Sequence, residues 1–573
     1  MDTANGTVNS VQALSLASRA RGVFLGVAVG DALGWPQEQN SGIVGGRLGN
    51  VTQPMAEFRS WSRYGGSRYQ KYIDPVPAGS YSDDTQLTLA VARSVQSEDW
   101  FHTLTATELP LFLIYQRGAG GATLRACRSW AKGLAPWDTG TSQSSRKSHQ
   151  QYFAAGGNGV AMRVSPHTIA FATRSRTDLV QRVIRDGIAT HGHPRALVGA
   201  AVFAVAQHLL LNSTSTLEYG ELIDALMRDN AWQDYQIFMS SLPESWLKAR
   251  ARQNSDIERE WAATIDETRV LMAKLQQGLS AGILGNDLEV LGDLGCFDKT
   301  VNGSGTVSAT GAIYLASRNA PRPVSGLVRA AFMDKADTDT MASMTAGLLG
   351  ALHGPGWLQN GANSLQDRAY IERMADSCAG LTTDEHRKIK PPKEITKNSL
   401  DEFLESLASS RDVEQIPDGR LVSSSEVRQL ESRTEGRVSR WILAVDHQTL
   451  TIDIHEKAKR AGIDRADSLI AAGVIRRVSL MSRDLEKLEG FYGAGGLGLR
   501  TQHAAPGELL VGDFIRFVKS TKAEASSNSP VLLEIEVESI KNLENRFKFQ
   551  HLDRRTAQLQ DPSGYNVRLF QGG

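Results

Sequence analysis

Gly79-Ser80-Tyr81-Ser82-Asp83-Asp84-Thr85-Gln86 stands directly before the apolar run Leu87-Thr88-Leu89-Ala90-Val91-Ala92. Oxygen-bearing side chains followed by helix-forming apolar residues read as a helix N-terminus. Acidic residues there cap free N–H groups and suit the helix dipole. One carboxylate is enough for that task. Two adjacent ones repel, and a cation relieves the repulsion, so the stretch reads either as an N-cap or as part of a metal site.

A second stretch of the same kind lies far downstream. Lys335-Ala336-Asp337-Thr338-Asp339-Thr340 precedes the helix-forming run Met341 to Gly354, in which Ala342, Ala346 and Gly350 line a small-residue face. If the two helix starts meet, four carboxylates and several hydroxyls converge. Hard oxygen donors in that number suit Mg²⁺, Ca²⁺ or Mn²⁺ rather than zinc or copper. Four such charges could not all stay ionised without cations. A pair of divalent ions is the natural partner, and paired ions suit hydrolysis.

Upstream, the sequence predicts a helix from about Ser15 to Leu33. Gly22, Gly26 and Gly30 fall on one face of it, and glycine costs about 1 kcal/mol each relative to alanine in a helix. Three on one face therefore predict a second backbone packed closely against them. Pro36 ends the helix, leaving Glu38 on the following loop. Residues 40–78 read as irregular loop, and 133–150 as a polar loop.

Gly156-Gly157-Asn158-Gly159, before Val160-Ala161-Met162-Arg163, reads as a turn or as a cradle for an anion; it is not a Walker sequence, since no Lys-Ser/Thr follows. Thr190-His191-Gly192-His193-Pro194 opens an apolar helix from Arg195 to Leu211, which should be buried in a helical domain. Its two histidines suit metal, base or sugar contacts, or caps. Zinc ranks last, because neither a nearby cysteine nor an HExxH pattern accompanies them.

The chain has 573 residues, 41% hydrophobic and 22% charged, with equal numbers of basic and acidic side chains. That is the balance of a soluble globular protein of two or three domains. A zero formal charge gives no global drive toward nucleic acid or an anionic membrane. Cys127, Cys296 and Cys378 are too sparse for a disulfide framework. The N-terminus has no secretory pattern, and no apolar run reaches the roughly 18 residues of a membrane span. A cytoplasmic protein is the expectation.

From about Lys388 the character changes. Residues 386–396 read as a linker, Thr396 to Ser410 as a short helix, and 437–454, 509–517 and 531–537 as strands. The segment 397–573 is expected to form a smaller α+β or β-rich C-terminal part. Arg546 to Gln558 reads as an amphipathic strand rather than a nucleic-acid surface, and a protein or nucleic-acid partner is the expectation for this part.

Together, Gly30-Asp31-Ala32-Leu33-Gly34 with Glu38, Ser82-Asp83-Asp84-Thr85, Gly157-Asn158-Gly159 with Met162-Arg163, Thr190-His191-Gly192-His193-Pro194, and Asp337-Thr338-Asp339-Thr340 resemble the ADP-ribosylglycohydrolase family. The resemblance implies an all-α domain over about 18–385 and a two-ion Mg²⁺ site, with Mn²⁺ as substitute. On that pattern Ser82, Asp83, Asp84, Asp337, Asp339 and Thr340 would hold the ions. Glu38, Asp31 and Asp339 would be the catalytic carboxylates. Gly157, Asn158, Gly159, Met162, Arg163, His191 and His193 would contact ADP-ribose. The implied reaction cleaves the glycosidic bond between ADP-ribose and a macromolecular acceptor, a protein foremost. The competing expectation is a non-catalytic module that binds ADP-ribose or acts by occlusion. Lys335 and Ala336 stand where the family pattern has two glycines.

Overall fold

The computed structural model describes residues 14–38, 43–44, 57–67, 70–138, 143–214, 217–253, 256–282, 285–381, 393–409, 413–433, 437–456 and, with short gaps, 478–571. The chain divides into two compact units, Met1–Ala458 and Lys459–Gly573.

The first unit is mostly helical. Five helices build the centre: α1 (Leu16–Gly34), α2 (Asp83–Ser94), α3 (Pro194–Leu211), α4 (Gly305–Arg318) and α5 (Thr338–His353). The glycine face of α1 lies directly on α5, and the two run antiparallel. A Cβ placed on Gly22, Gly26, Gly30 or Gly34 would lie 2.4, 2.3, 2.3 or 2.2 Å from the carbonyl oxygens of Gly350, Ala346, Ala342 and Thr338. Those distances are shorter than any real carbon–oxygen contact, so only glycine permits this approach. The small-residue faces expected on both helices therefore meet each other. Helix α3 is long and apolar enough to cross a membrane by length and composition, and 89% of it is buried inside the unit.

The helical region also contains strands. Residues 61–76 form a hairpin, β1 (Trp61–Ser67) and β2 (Gln70–Val76), where sequence reading expected only loop. Gln143–Phe153 is a helix, not loop. Compact packing continues past the boundary expected at 386–396, residues of which 386–392 lie outside the described set. Helix Lys397–Ala408 and the antiparallel strands β3 (Val422–Leu430), β4 (Arg437–Val445) and β5 (Gln448–Glu456) follow. Leu400, Phe403, Trp441, Leu443, Leu450 and Ile452 share one apolar cluster with Leu87, Val91, Phe112 and Tyr115. Burial of those side chains makes 393–456 part of the first unit, and the division falls after Ala458.

The second unit holds two four-stranded sheets. In the first, β6 (Val478–Ser482), β7 (Thr501–Ala505), β8 (Glu508–Val511) and β9 (Ile515–Lys519) lie in the order β6-β9-β8-β7. In the second, β10 (Leu532–Val537), β11 (Gln550–Asp553), β12 (Thr556–Gln560) and β13 (Asn566–Gln571) lie in the order β10-β13-β12-β11. In both sheets the first strand pairs parallel with the last, and the other pairs are antiparallel. The unit thus uses one topology twice, around a single core that includes Leu488, Tyr492, Phe517, Val567 and Leu569. Along β12, Ala557 and Leu559 are buried between less buried neighbours, the pattern of an amphipathic strand.

Candidate metal and substrate site

The α1–α5 contact brings the C-terminal end of α1 to the N-terminal end of α5. Asp31 and the short turn Trp35–Gln37, which leads to Glu38, therefore stand beside Asp337, Asp339 and Thr340. Thr338 fastens the corner, its hydroxyl donating to the Gly34 carbonyl over 2.9 Å. Helix α2 enters with its N-terminus against the same corner. Asp31 fixes it there, accepting from the Ser82 amide at 2.9 and 3.0 Å, the Thr85 amide at 3.0 Å and the Thr85 hydroxyl at 2.6 Å. The cap of α2 comes from Ser82, whose hydroxyl accepts from the Asp84 amide over 3.4 Å. Capping of α2 thus uses Ser82 and Asp31 and leaves the carboxylates of Asp83 and Asp84 for other contacts.

One carboxylate oxygen from each of Glu38, Asp337 and Asp339 lies within 4.8 Å of the others. Asp84 accepts from the Ser343 hydroxyl at 2.9 Å and the Thr340 hydroxyl at 3.4 Å, which joins α2 to α5. Asp337 accepts from the Asn158 side-chain amide at 2.7 Å. Burial, then the charges of Asp31, Glu38 and Asp337, hold the Asp83 carboxyl well above the usual range. Burial also raises Asp84, with Asp31, Asp83 and Asp337 adding to it. Asp339 is raised by burial and by Glu38, Asp337 and Asp84. Asp31 and Asp337 act on both Asp83 and Asp84, and Glu38, Asp337 and Asp84 act on Asp339, so the acids at the starts of α2 and α5 lie within electrostatic reach of one another.

Asp31 occupies a different place from the one expected of a catalytic carboxylate. It is wholly buried, and it spends its oxygens on α2. Its carboxylate anchors the start of α2, the helix that carries Asp83 and Asp84.

The turn 156–159 docks on the N-terminal end of α4. The Asn158 amide donates to the Gly303 carbonyl at 2.9 Å, and the Gly305 amide donates to the Gly156 carbonyl at 3.0 Å. The Asn158 side chain reaches Ser308 as well as Asp337. His191 lies beneath the turn, 3% exposed, with Nδ1 2.7 Å from the Thr190 hydroxyl. A Cβ at Gly159 would meet the His191 ring at 3.0 Å, so glycine makes room for the imidazole. Burial first, then Arg163 and Arg125, push the His191 pKa down to about 3. Arg163 is fully buried behind the turn, bound to Asp186, the Gly159 carbonyl and Thr190. Met162 packs in the apolar core, and its carbonyl accepts from Thr88. His193 caps α3, its Nδ1 accepting from the Arg195 amide at 3.1 Å. Of the seven residues expected to touch substrate, Met162, Arg163 and His191 are thus buried, and Arg163 holds the Gly159 carbonyl.

Sequence patterns assign no role to Thr85, Ser343 or Gly118. Ser343 lies four residues after Asp339 on α5, the spacing that shares a helix face. Gly118, at φ +116°, lies so close that a Cβ would sit 2.9 Å from the Asp83 carboxylate. Its signal is the glycine-rich stretch Gly118-Ala119-Gly120-Gly121.

Residues 12–388 match the protein-family model described as ADP-ribosylglycohydrolase. A solved structure of an ADP-ribosylglycohydrolase-related protein complex is 20% identical in sequence, with a TM-score of 0.39, over 64% of this chain and 98% of that one. A search of curated proteins found no match.

Proposed function

The chain belongs to the ADP-ribosylglycohydrolase family, hydrolases of ADP-ribose linkages, and from that premise we propose that it uses divalent metal ions to remove ADP-ribose from a modified macromolecule, a protein foremost. The observation that carries this reading is the cluster of acids at the meeting of α1, α2 and α5, in which Asp83, Asp84 and Asp339 are buried and Glu38 and Asp337 are half-buried.

The donor set fits a hard cation. It is all oxygen, carboxylates with the hydroxyls of Ser82 and Thr340, and its charges are too close to stay ionised alone. Ser82, Asp83, Asp84, Asp337, Asp339 and Thr340 would hold two Mg²⁺ ions, with Mn²⁺ as substitute. When bound, such ions supply Lewis acidity and orient water and ribose hydroxyls.

The chain's own residues do the rest. Asp31 holds the α2 amides so that Asp83 and Asp84 project from a fixed helix end. Asn158 orients Asp337, linking the glycine turn to the acids. Gly157 and Gly159 let that turn lie close over the His191 ring, and its backbone would receive the diphosphate. Glu38 stands on a short turn at the edge of the cluster, half-buried, where it can exchange a proton with the leaving group or water.

The test is removal and return of metal. Free ADP-ribose is measured after incubation with ADP-ribosylated protein, before and after dialysis against EDTA. Release that stops with EDTA and returns with Mg²⁺ or Mn²⁺ supports the reading. Release that survives full chelation overturns the metal requirement.

A further inference from the structure

The acid cluster is gripped from outside the family-matched residues. Strands β4 and β5 lie beyond residue 388, yet two relays, one buried at Asp74 and one part-buried, run from them to the start of α2.

The first relay centres on Asp74 of β2. Its carboxylate accepts from Arg440 of β4 at 2.6 Å, from Arg117 at 2.9 and 3.0 Å, and from Arg63 at 2.7 Å. Burial alone would raise the Asp74 pKa, but Arg117, Arg440 and Arg63 hold it well below the usual carboxylate range. Arg440 is itself fixed by a two-pronged pair with Asp453, at 2.7 and 2.8 Å. From Asp74 the relay passes to the acids twice. The Arg117 amide donates to Gln86 of α2 at 3.0 Å, and the next residue, Gly118, lies against Asp83. The Arg63 and Arg117 guanidiniums also lie 4.6 and 5.2 Å from the ring centre of Trp35, the residue that starts the turn to Glu38.

The second relay starts at Thr449 of β5. Its amide and hydroxyl donate to Asp367 at 2.9 and 2.7 Å, and Asp367 accepts from the Tyr81 hydroxyl at 2.6 Å. Tyr81 directly precedes Ser82. At the other end of α2, Arg93 donates to Gln448 at 3.1 Å.

We propose that the sheet formed by residues 422–456 is a positioning element of the acid cluster, and that Arg440, acting through Asp74 and Arg117, sets the placement of Asp83 and Glu38. This rests on the metal-site reading above. Residues supporting ligands from outside typically change metal affinity by about 10- to 100-fold when lost. Arg440 touches neither substrate nor the acids; it acts through Asp74.

The test uses the full chain and two readouts, Mn²⁺ affinity by calorimetry and amide hydrogen exchange of the peptide spanning residues 79–90. Arg440→Met is expected to weaken Mn²⁺ by about tenfold and to speed exchange of that peptide by roughly threefold or more. Arg440→Lys, which keeps a cation beside Asp74, should recover part of both. Lys248→Met, exposed on the helix Glu244–Ala251 outside that sheet, should change neither. Should Arg440→Met fail to fold, Thr449→Val decides, with smaller shifts in the same direction. Unchanged affinity and exchange in a folded Arg440→Met, or in Thr449→Val when that variant decides, overturns the proposal. If the unaltered protein binds no Mn²⁺, the metal-site reading fails, and the exchange comparison decides this proposal by itself.

Discussion

At the scale of single residues, the site is a case of stored repulsion. Asp83, Asp84 and Asp339 carry pKa values raised by burial and by neighbouring carboxylates. In the ion-free protein such a carboxyl favours folding only while protonated. Stability therefore falls as pH climbs from the unfolded value, near 4, through the raised folded one. Bound cations reverse the penalty, and more so where more of the acids are ionised. The rise in melting temperature caused by Mg²⁺ is expected to be larger at pH 8 than at pH 6, by scanning calorimetry at fixed ionic strength. An equal rise at both values would contradict the picture of mutually repelling acids. The residue types of this cluster were legible in the sequence, because two Asp/Thr runs before helices have few other uses. The roles of Asp31 and Arg163 were not. Both sit in motifs, yet their partners, Thr85 and Asp186, are set by tertiary packing that residue spacing does not reveal.

At the scale of elements, the α1–α5 contact places the site. Its glycines were readable as a close-packing face, and the small face of α5 supplied the partner. Gly26→Ala tests the contact. Helix propensity alone would favour alanine by about 1 kcal/mol. The added Cβ, however, would sit 2.3 Å from the Ala346 carbonyl oxygen. Backbone cannot yield as a side-chain tip can, so a net loss of about 3 kcal/mol or more is expected in urea denaturation. A stabilised variant would show that the two helices lie farther apart. The β1–β2 hairpin was not legible. Its residues include Gly65, Gly66 and Pro75 and lack clean alternation. It is held by Trp61 against Trp35 and by Arg117 and Arg440 on Asp74, contacts from outside the hairpin.

At the scale of the molecule, the helical region and its site acids were expected from sequence, whereas the extent of the first unit was not. The shift in composition near 388 suggested a boundary, but Trp441, Leu443, Leu450 and Ile452 complete a core begun by Leu87 and Phe112. The repeated sheet order of the second unit was also hidden, since equal topology does not require similar residues. Hydrolysis at the acid cluster is the central claim. Its most direct measurement is the time course of free ADP-ribose released from arginine-, serine- and nucleic-acid-linked substrates with Mg²⁺, comparing the unaltered chain with Asp339→Ala. The expected result is release from at least one substrate, lowered by about 100-fold or more in the variant, as loss of a group that holds the reaction centre implies. Silence across every substrate, or release unchanged in Asp339→Ala, would contradict it.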